Sequence, residues 1–336
     1  MDLTHPSELT ALAAWTMDQG GRTRLLITMV GAFTCAGDVA EPEPIRTEDA
    51  FSGEAGASTV TAVTDLGWSK TATDVILYAD ALAPATGARS CSVSLAIGPI
   101  AKTVRVVGDR IWMKRLFRWI ASDPQPFESM PLVWERAFGG TLTTRDGSPV
   151  MDERNPIGIG LYHPDADLAL AGLRLPNIEH PAHLFTAPHE RPDPAGFTPI
   201  CAHWQPRRAF AGTYDDAWQR DRAPFVPADF DPRFLQCAPR DQIVSGHLSG
   251  DEEVRISGIA PLGEYCFRLP GVSPVVTVKP SGRIAVDIPS TIQTVTLRPA
   301  KDRVVLAWRA EWHGSAGDIS AIRIAVRPIL AGAGTW

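Results

Sequence analysis

The proline content of the middle of the chain is the feature that most constrains its fold. Residues 149–239 hold 14 of the 29 prolines and five of the eight histidines of this 336-residue chain. Proline fixes φ and lacks a backbone N–H, so this density excludes long helices and central β-strands. Aromatic side chains are nevertheless frequent in the same stretch, and a flexible linker would not carry so many of them. We therefore expect residues 149–240 to form an ordered, loop-rich segment packed on a β core.

The two flanking parts, 1–148 and 241–336, have the pattern of β-strands. Short runs rich in β-branched residues are bounded by Gly, Pro or Asp, as in antiparallel sheets. Gly98-Pro99 lies between two such runs and predicts a hairpin over residues 91–107. We expect a mainly β fold with sandwich-like or barrel-like antiparallel sheets and few short helices, in one integrated domain covering about residues 20–328. The predicted strands are 24–33, 74–78, 91–97, 100–107, 253–259, 265–269, 275–278, 283–288, 291–297, 303–312 and 321–327.

Charge and cysteine usage argue against several functional classes. The net charge is −6 and the lysines and arginines are scattered, so we expect neither nucleic acid nor a membrane surface as a partner. The first twenty residues lack a basic region followed by an apolar run, and no stretch has the length of a membrane span. The cysteines are far apart and odd in number, which favours reduced thiols over disulfides and predicts a cytoplasmic location. They are Cys35, Cys91, Cys201, Cys237 and Cys266.

Four residues of the proline-rich segment are the candidate zinc ligands. They are His180, His183, Cys201 and His203, and imidazole and thiolate are the usual zinc ligands. Pro181 follows His180 directly, which places this histidine in a stiff loop and not on a helix face. Histidines in such loops are more often turn or surface residues. We therefore expect no metal and no cofactor, and keep a zinc site as an alternative.

Acidic residues cluster near the end of the segment, with arginines between them. An acid pair can support glycoside hydrolysis, so a metal-dependent or carboxylate-dependent hydrolase using loops 180–241 is one alternative function. Neighbouring guanidinium groups would, however, keep these acids ionised and unsuited to proton donation. We predict a short helix at 216–222 with Asp215 or Asp216 as its N-cap, and a capped turn at 229–232 that points Phe230 inward. The residues predicted to structure the loops are Asp215, Asp229, Asp231, Arg233 and Asp241.

The order of residues in this segment resembles one bacterial family. The pattern runs through Trp204-x-Pro206-Arg207, Ala211-Gly-Thr-Tyr214-Asp215-x2-Trp218-x3-Arg222-x-Pro224-x2-Pro227-x-Asp229-Phe230-Asp231-x-Arg233-Phe234 and Ala238-Pro239-x-Asp241-Gln242. Upstream, residues 131–140 (PLVWERAFGG) and 155–160 (NPIGIG) fit the same pattern. Over roughly residues 20–310 the chain is similar to the domain-of-unknown-function family numbered 2169, and so many ordered matches are more specific than one short motif.

The resemblance implies a cytoplasmic accessory protein of type VI secretion. Such proteins resemble adaptors or chaperones that bind an effector, often linked to a PAAR domain, and help to load it onto the VgrG spike. The family supplies no catalytic residues, so we expect a binding protein and not an enzyme. A structural component of the secretion apparatus is the second alternative, and the client and oligomeric state stay open.

An adaptor needs aromatic and arginine side chains at its surface. The candidates for partner contact are Trp204, Tyr214, Trp218, Arg222 and Phe225. Burial of these rings against the β core is the competing expectation, because it is the more frequent fate of large aromatic side chains.

Overall fold

The computed structural model describes residues 2–166, 168–260 and 263–329, and most of its regular structure is β-strand. In chain order the strands are β1 (Asp2–Thr4), β2 (Leu9–Met17), β3 (Thr23–Phe33), β4 (Ala50–Phe51), β5 (Val60–Ala62), β6 (Asp74–Leu77), β7 (Asp80–Leu82), β8 (Ser90–Ile97), β9 (Ile100–Val107), β10 (Trp112–Arg115), β11 (Arg118–Ala121), β12 (Ser129–Pro131), β13 (Phe138–Gly139), β14 (Thr141–Thr143), β15 (Pro149–Met151), β16 (Ile159–Gly160), β17 (Ile178–Glu179), β18 (Glu253–Ser257), β19 (Glu264–Arg268), β20 (Val272–Pro280), β21 (Val286–Ile288), β22 (Thr291–Arg298), β23 (Arg303–His313) and β24 (Ile319–Pro328).

Helical structure is short wherever the chain is described. One α-helix, α1, covers Asp216–Asp221, inside the predicted range 216–222. The 3₁₀-helices lie at Trp134–Arg136, Arg207–Phe210, Pro232–Leu235, Arg240–Gln242, Pro299–Lys301 and Ala316–Asp318. None of the described helices is both long and apolar enough to cross a membrane.

Three larger sheets carry the fold. The first has the order β2-β3-β23-β22-β6, antiparallel except for the parallel pair of β6 and β22. The second has the order β17-β9-β8-β18-β19 and is antiparallel throughout. The third has the order β1-β24-β20-β21, with β1 parallel to β24. In two of these sheets, strands from the beginning of the chain pair with strands from its end.

One apolar core joins the three sheets. Alternate residues of β9 are buried (Ile100, Lys102, Val104, Val106), as expected for a strand with one face on a core. In contrast, β3 is buried on both faces from Leu25 onward. Its outer face packs, together with part of β23, beneath the partly buried Ala40 and Ile45. The predicted mainly β architecture is therefore confirmed as open, sandwich-like sheets, with no closed barrel among the described residues.

The predicted hairpin at 91–107 is confirmed. Strands β8 and β9 pair in register from Ser90 and Val107 to Ile97 and Ile100, across a two-residue turn at Gly98-Pro99. Gly98 adopts a positive φ of 52°, which a residue with a Cβ atom rarely takes.

The proline-rich segment folds around two smaller apolar clusters. The first contains Trp112, Phe138, Leu161, Leu170, Leu175 and Phe185. The second contains Val60, Trp134, Ala137, Cys201 and Trp204. Both clusters mix residues of the segment with residues before it, so the segment is packed and ordered.

Candidate functional site

A small lobe formed by residues 213–226, here the aromatic lobe, carries most of the residues predicted to contact a partner. Within it, Asp215 is the N-cap of α1, because its Oδ1 accepts a hydrogen bond from the Trp218 backbone N–H at 2.8 Å. This cap was one of the two predicted alternatives. Within the lobe, the rings of Tyr214 and Trp218 meet edge to face with centroids 4.7 Å apart. The Trp218 indole N–H donates to the backbone carbonyl of Phe225 at 2.8 Å.

Arg222 attaches the aromatic lobe to the β2–β3 turn. Its Nε donates to the Val226 carbonyl and its Nη2 to the Gln19 carbonyl, each at 2.6 Å. The Gln19 side chain bonds back to the same region, because its amide nitrogen donates a hydrogen bond to the Ala228 carbonyl at 3.0 Å. The Arg222 guanidinium thus bonds to backbone, and it serves the attachment of the lobe more than an outward surface.

The exposed surface of the aromatic lobe is made by Tyr214 and Phe225. Tyr214 is 56% exposed and Phe225 is 36% exposed. Trp218 lies between them and is half-buried. Exposed rings on a fixed frame lose little conformational entropy on binding, and this suits them to a protein contact.

Trp204 does not belong to this surface. It is 2% exposed and meets Trp134 edge to face in the second apolar cluster. Its indole N–H donates to the Gly56 carbonyl at 3.1 Å. We therefore remove Trp204 from the candidate contact residues, because its side chain has no surface to offer a partner.

The acidic side chains cap short helices and stabilise turns through hydrogen bonds. Asp229 accepts hydrogen bonds from the Thr213 backbone N–H at 3.0 Å and hydroxyl at 2.8 Å, and these bonds lower its carboxyl pKa. Asp231 caps the 3₁₀-helix at Pro232–Leu235 and pairs with Arg233, whose side-chain hydrogen bond lowers the Asp231 pKa. Phe230 is buried, as the predicted capped turn requires.

The expectation that every acid has a guanidinium neighbour needs correction. Of the four acids predicted to structure the loops, Asp231 has an arginine partner within the described residues, whereas Asp229 is held by a threonine. Asp241 pairs instead with the buried Lys102, whose Nζ donates to its Oδ1 at 2.8 Å. Sequence spacing could not reveal this partner, because it lies in β9.

The four candidate zinc ligands do not converge. His180 and His183 are neighbours at the surface, with ring centroids 5.3 Å apart. Cys201 is buried in the second apolar cluster, whereas His203 is exposed. No group of three or more His, Cys, Asp or Glu residues that could hold a metal ion occurs in the described parts of the chain.

Two lysines, the buried Lys102 and the partly buried Lys70, join the proline-rich segment to the sheets. Lys102 Nζ donates to Asp241, to Gln242 Oε1 at 2.8 Å and to the Gly196 carbonyl. Lys70 Nζ donates to Asp74 Oδ2 at 2.6 Å and lies 3.6 Å from Cys237 Sγ. Burial raises the pKa of the Cys237 thiol to about 12, so it stays protonated and unreactive near neutral pH. Each cluster is therefore a set of polar contacts that connects a sheet to the proline-rich segment.

A glycine-lined cleft occupies the place where two of the family-like stretches meet. Its volume is about 480 Å³ and its lining is mostly apolar. The Asn155 side chain sits beneath it and donates to the carbonyls of Trp134 at 2.8 Å and Phe138 at 3.0 Å. A Cβ atom at Gly139 would lie 2.1 Å from the Asn155 carbonyl, so only glycine allows this approach. The glycines of the lining are Gly139, Gly140, Gly158, Gly160 and Gly172.

Strands β10 and β11 form a second exposed feature that the sequence analysis missed, here the basic hairpin (residues 112–121). Its two-residue loop, Leu116-Phe117, is 86% and 97% exposed. The signal in the sequence is the run WMKRLFRWI at 112–120, in which two apolar residues stand between basic ones. The hairpin adjoins the cleft, since the Trp112 backbone N–H donates to the Leu173 carbonyl at 2.9 Å.

The comparisons with known proteins identify the family alone. No curated protein and no solved structure matches the chain. A family described as "Uncharacterized protein conserved in bacteria (DUF2169)" matches residues 10–309, which cover all three sheets in part, the aromatic lobe, the cleft and the basic hairpin. The chain therefore belongs to the DUF2169 family.

Proposed function

We propose that this chain is a cytoplasmic accessory protein of type VI secretion. In this role it binds an effector, often linked to a PAAR domain, and helps to load it onto the VgrG spike. The resemblance to the family supports the proposed role in type VI secretion. The observation that carries a binding role is the exposed pair of rings, Tyr214 and Phe225, on a lobe that hydrogen bonds fix to the β2–β3 turn.

The lobe has the properties of a binding surface. Aromatic rings contribute large contact areas at low entropic cost. The frame beneath them is attached through the backbone at Gln19 and through the Asp215 cap. Such a surface is ready before its partner arrives, and preorganisation raises affinity without additional contacts.

A hydrolase that uses loops 180–241 receives less support. Asp215, Asp229 and Asp231 each accept a backbone N–H, so their carboxylates are engaged in shaping turns. The pKa values of Asp229 and Asp231 lie below the ordinary range, and a general acid at neutral pH needs a raised value. We therefore propose a non-enzymatic role.

The test is co-purification with the effector or PAAR-domain protein encoded beside this chain. The informative variant is the double substitution Tyr214→Ser and Phe225→Ser, because both rings are exposed and neither side chain is a hydrogen-bond partner for the lobe. Variants of Trp218 or Arg222 are less informative, since both side chains hold the lobe together. Val39→Ser with Ile284→Ser is the matched control, as it removes two other exposed apolar side chains.

We expect the wild type and the control to retain the client and the lobe variant to lose at least about tenfold in affinity. Equal retention by all three would place the contact elsewhere. Failure of the wild type to retain any such protein would refute the adaptor role. Secretion of the chain together with the spike would favour a structural component of the apparatus.

A further inference from the structure

The basic hairpin combines two features that cost stability with a large apolar ring left at the surface. Leu116 adopts a φ of 54°, a left-handed conformation that residues with a Cβ atom rarely take. Its neighbour Phe117 is almost fully exposed at the tip. Arg115 and Arg118 stand directly opposite each other in the strand register, and like charges in that position repel.

The two faces of the hairpin differ. Directly opposite residues share a face, so Trp112, which is buried, turns one face toward the protein. The other face carries Arg115 and Arg118 beside the cross-strand pair of Met113 and Ile120. Within the described residues no carboxylate forms an ion pair with either arginine. The face therefore offers two guanidinium groups next to an apolar patch.

The edge of the hairpin is also open to pairing. In the described part of the chain β11 has one strand partner, β10, so the backbone groups on its other side face away from any strand. An extended segment can add to such an edge through backbone hydrogen bonds, with side chains selecting the sequence. The nearby arginines select carboxylates, which guanidinium binds through two parallel hydrogen bonds.

We propose that the basic hairpin binds an extended, acidic segment of a partner protein that pairs with β11. Carboxylates of that segment lie on the face that carries Arg115 and Arg118 and offset their repulsion, and apolar residues two positions away lie on the same face, beside Ile120 and Met113. This rests on the proposed function and adds the chemistry of one partner. A protein segment fits better than an anionic membrane, because the net charge of −6 repels an extended anionic surface, whereas a segment contacts the hairpin alone.

The test uses purified protein and synthetic peptides. A fluorescently labelled peptide in which Glu and Val alternate at every second position, with Thr between them, is titrated and followed by anisotropy, because Glu and Val then share one face of the strand. A peptide in which Gln replaces every Glu is titrated beside it. The variant is Arg115→Glu with Arg118→Glu. Arg145→Glu with Arg283→Glu is the matched control, because these exposed arginines give the same change in net charge. Thermal unfolding confirms that all chains are folded, and amide hydrogen exchange locates the bound peptide.

We expect the acidic peptide to bind wild type and control at least about tenfold more tightly than the hairpin variant, and to protect the amides of β11. The Gln peptide should bind as weakly as the variant does. Equal binding of both peptides, or protection outside the hairpin, would overturn the proposal. Binding to phosphatidylglycerol vesicles with no binding of the acidic peptide would overturn it in favour of a membrane contact. Failure of the wild type to bind the acidic peptide, with the effector still retained through the aromatic lobe, would refute this inference and leave the proposed function standing.

Discussion

Replacement of Lys102 by Met tests how the proline-rich segment is attached to the β core. Lys102 rises from β9 and its ammonium group is buried. It donates to the Gly196 carbonyl, to Gln242 Oε1 and to Asp241 Oδ1. Gln242 in turn donates to the carbonyls of Val75 at 2.7 Å and Phe197 at 3.0 Å. One side chain thus links a strand to Gly196 of the segment and to residues 241 and 242 directly after it.

Lys102→Met should lower the free energy of unfolding because it leaves hydrogen-bond acceptors without their donor. Methionine fills a similar volume but donates no hydrogen bond. The Gly196 carbonyl and Gln242 Oε1 are then buried without this donor, at about 1–3 kcal/mol each. Burial lowers the Lys102 pKa, so removal of the charged group returns part of its desolvation cost. We expect the free energy of unfolding to fall by about 2–4 kcal/mol.

Urea unfolding followed by tryptophan fluorescence measures this change. Asp241→Asn is the control, because Asp241 is half exposed and keeps an oxygen that can accept from Lys102. It should cost less than about 1 kcal/mol. If the free energy of unfolding of Lys102→Met lies within about 0.5 kcal/mol of the wild-type value, the hydrogen bonds of Lys102 do not hold the segment on the β core and the reasoning fails.

Three further changes are predicted from other parts of the structure. The Arg22 backbone N–H donates to Asp18, and this bond with others lowers the Asp18 pKa to about 2. The stability that Asp18 contributes should be complete above pH 3.8 and fade as the pH falls through about 2, whereas Asp18→Asn should show no such loss in acid urea titrations. Asn155→Ala should destabilise by about 2–4 kcal/mol in urea, because two buried carbonyls lose their donor, and a near-neutral result would contradict this role. Leu116→Gly should slow amide hydrogen exchange in β10 and β11, since glycine accepts the positive φ, and faster exchange would argue against a strained turn.

Local patterns in the sequence predicted local structure well. The hairpin at 91–107 and the Asp215 cap depend on residues that are neighbours in the chain, so the sequence contains the whole signal. The strand β2 was missed, because its run LTALAAWTM is rich in alanine and leucine, which favour helix. Pairing with β3 overrides that preference and makes it a strand.

Non-local partners explain what the sequence could not predict in the candidate site. The sequence predicts that Arg222 contacts a partner, yet its guanidinium bonds to the carbonyl of Gln19, 203 residues earlier in the chain. Trp204 is buried because Trp134 and Val60 come from distant parts of the sequence to surround it. The strain at Leu116 also escaped notice, since it depends on a backbone angle and not on composition.

The pairing of β3 with β23 has a consequence for biosynthesis. β3 ends at Phe33, and its neighbour on the inner side of the sheet begins at Arg303. Until the ribosome has made β23, one edge of the long apolar strand β3 has no strand partner. Unpaired edges of this kind promote aggregation of nascent chains. Ribosomes that stall before Arg303 should therefore release insoluble fragments, because this sheet stays incomplete until β23 has been made.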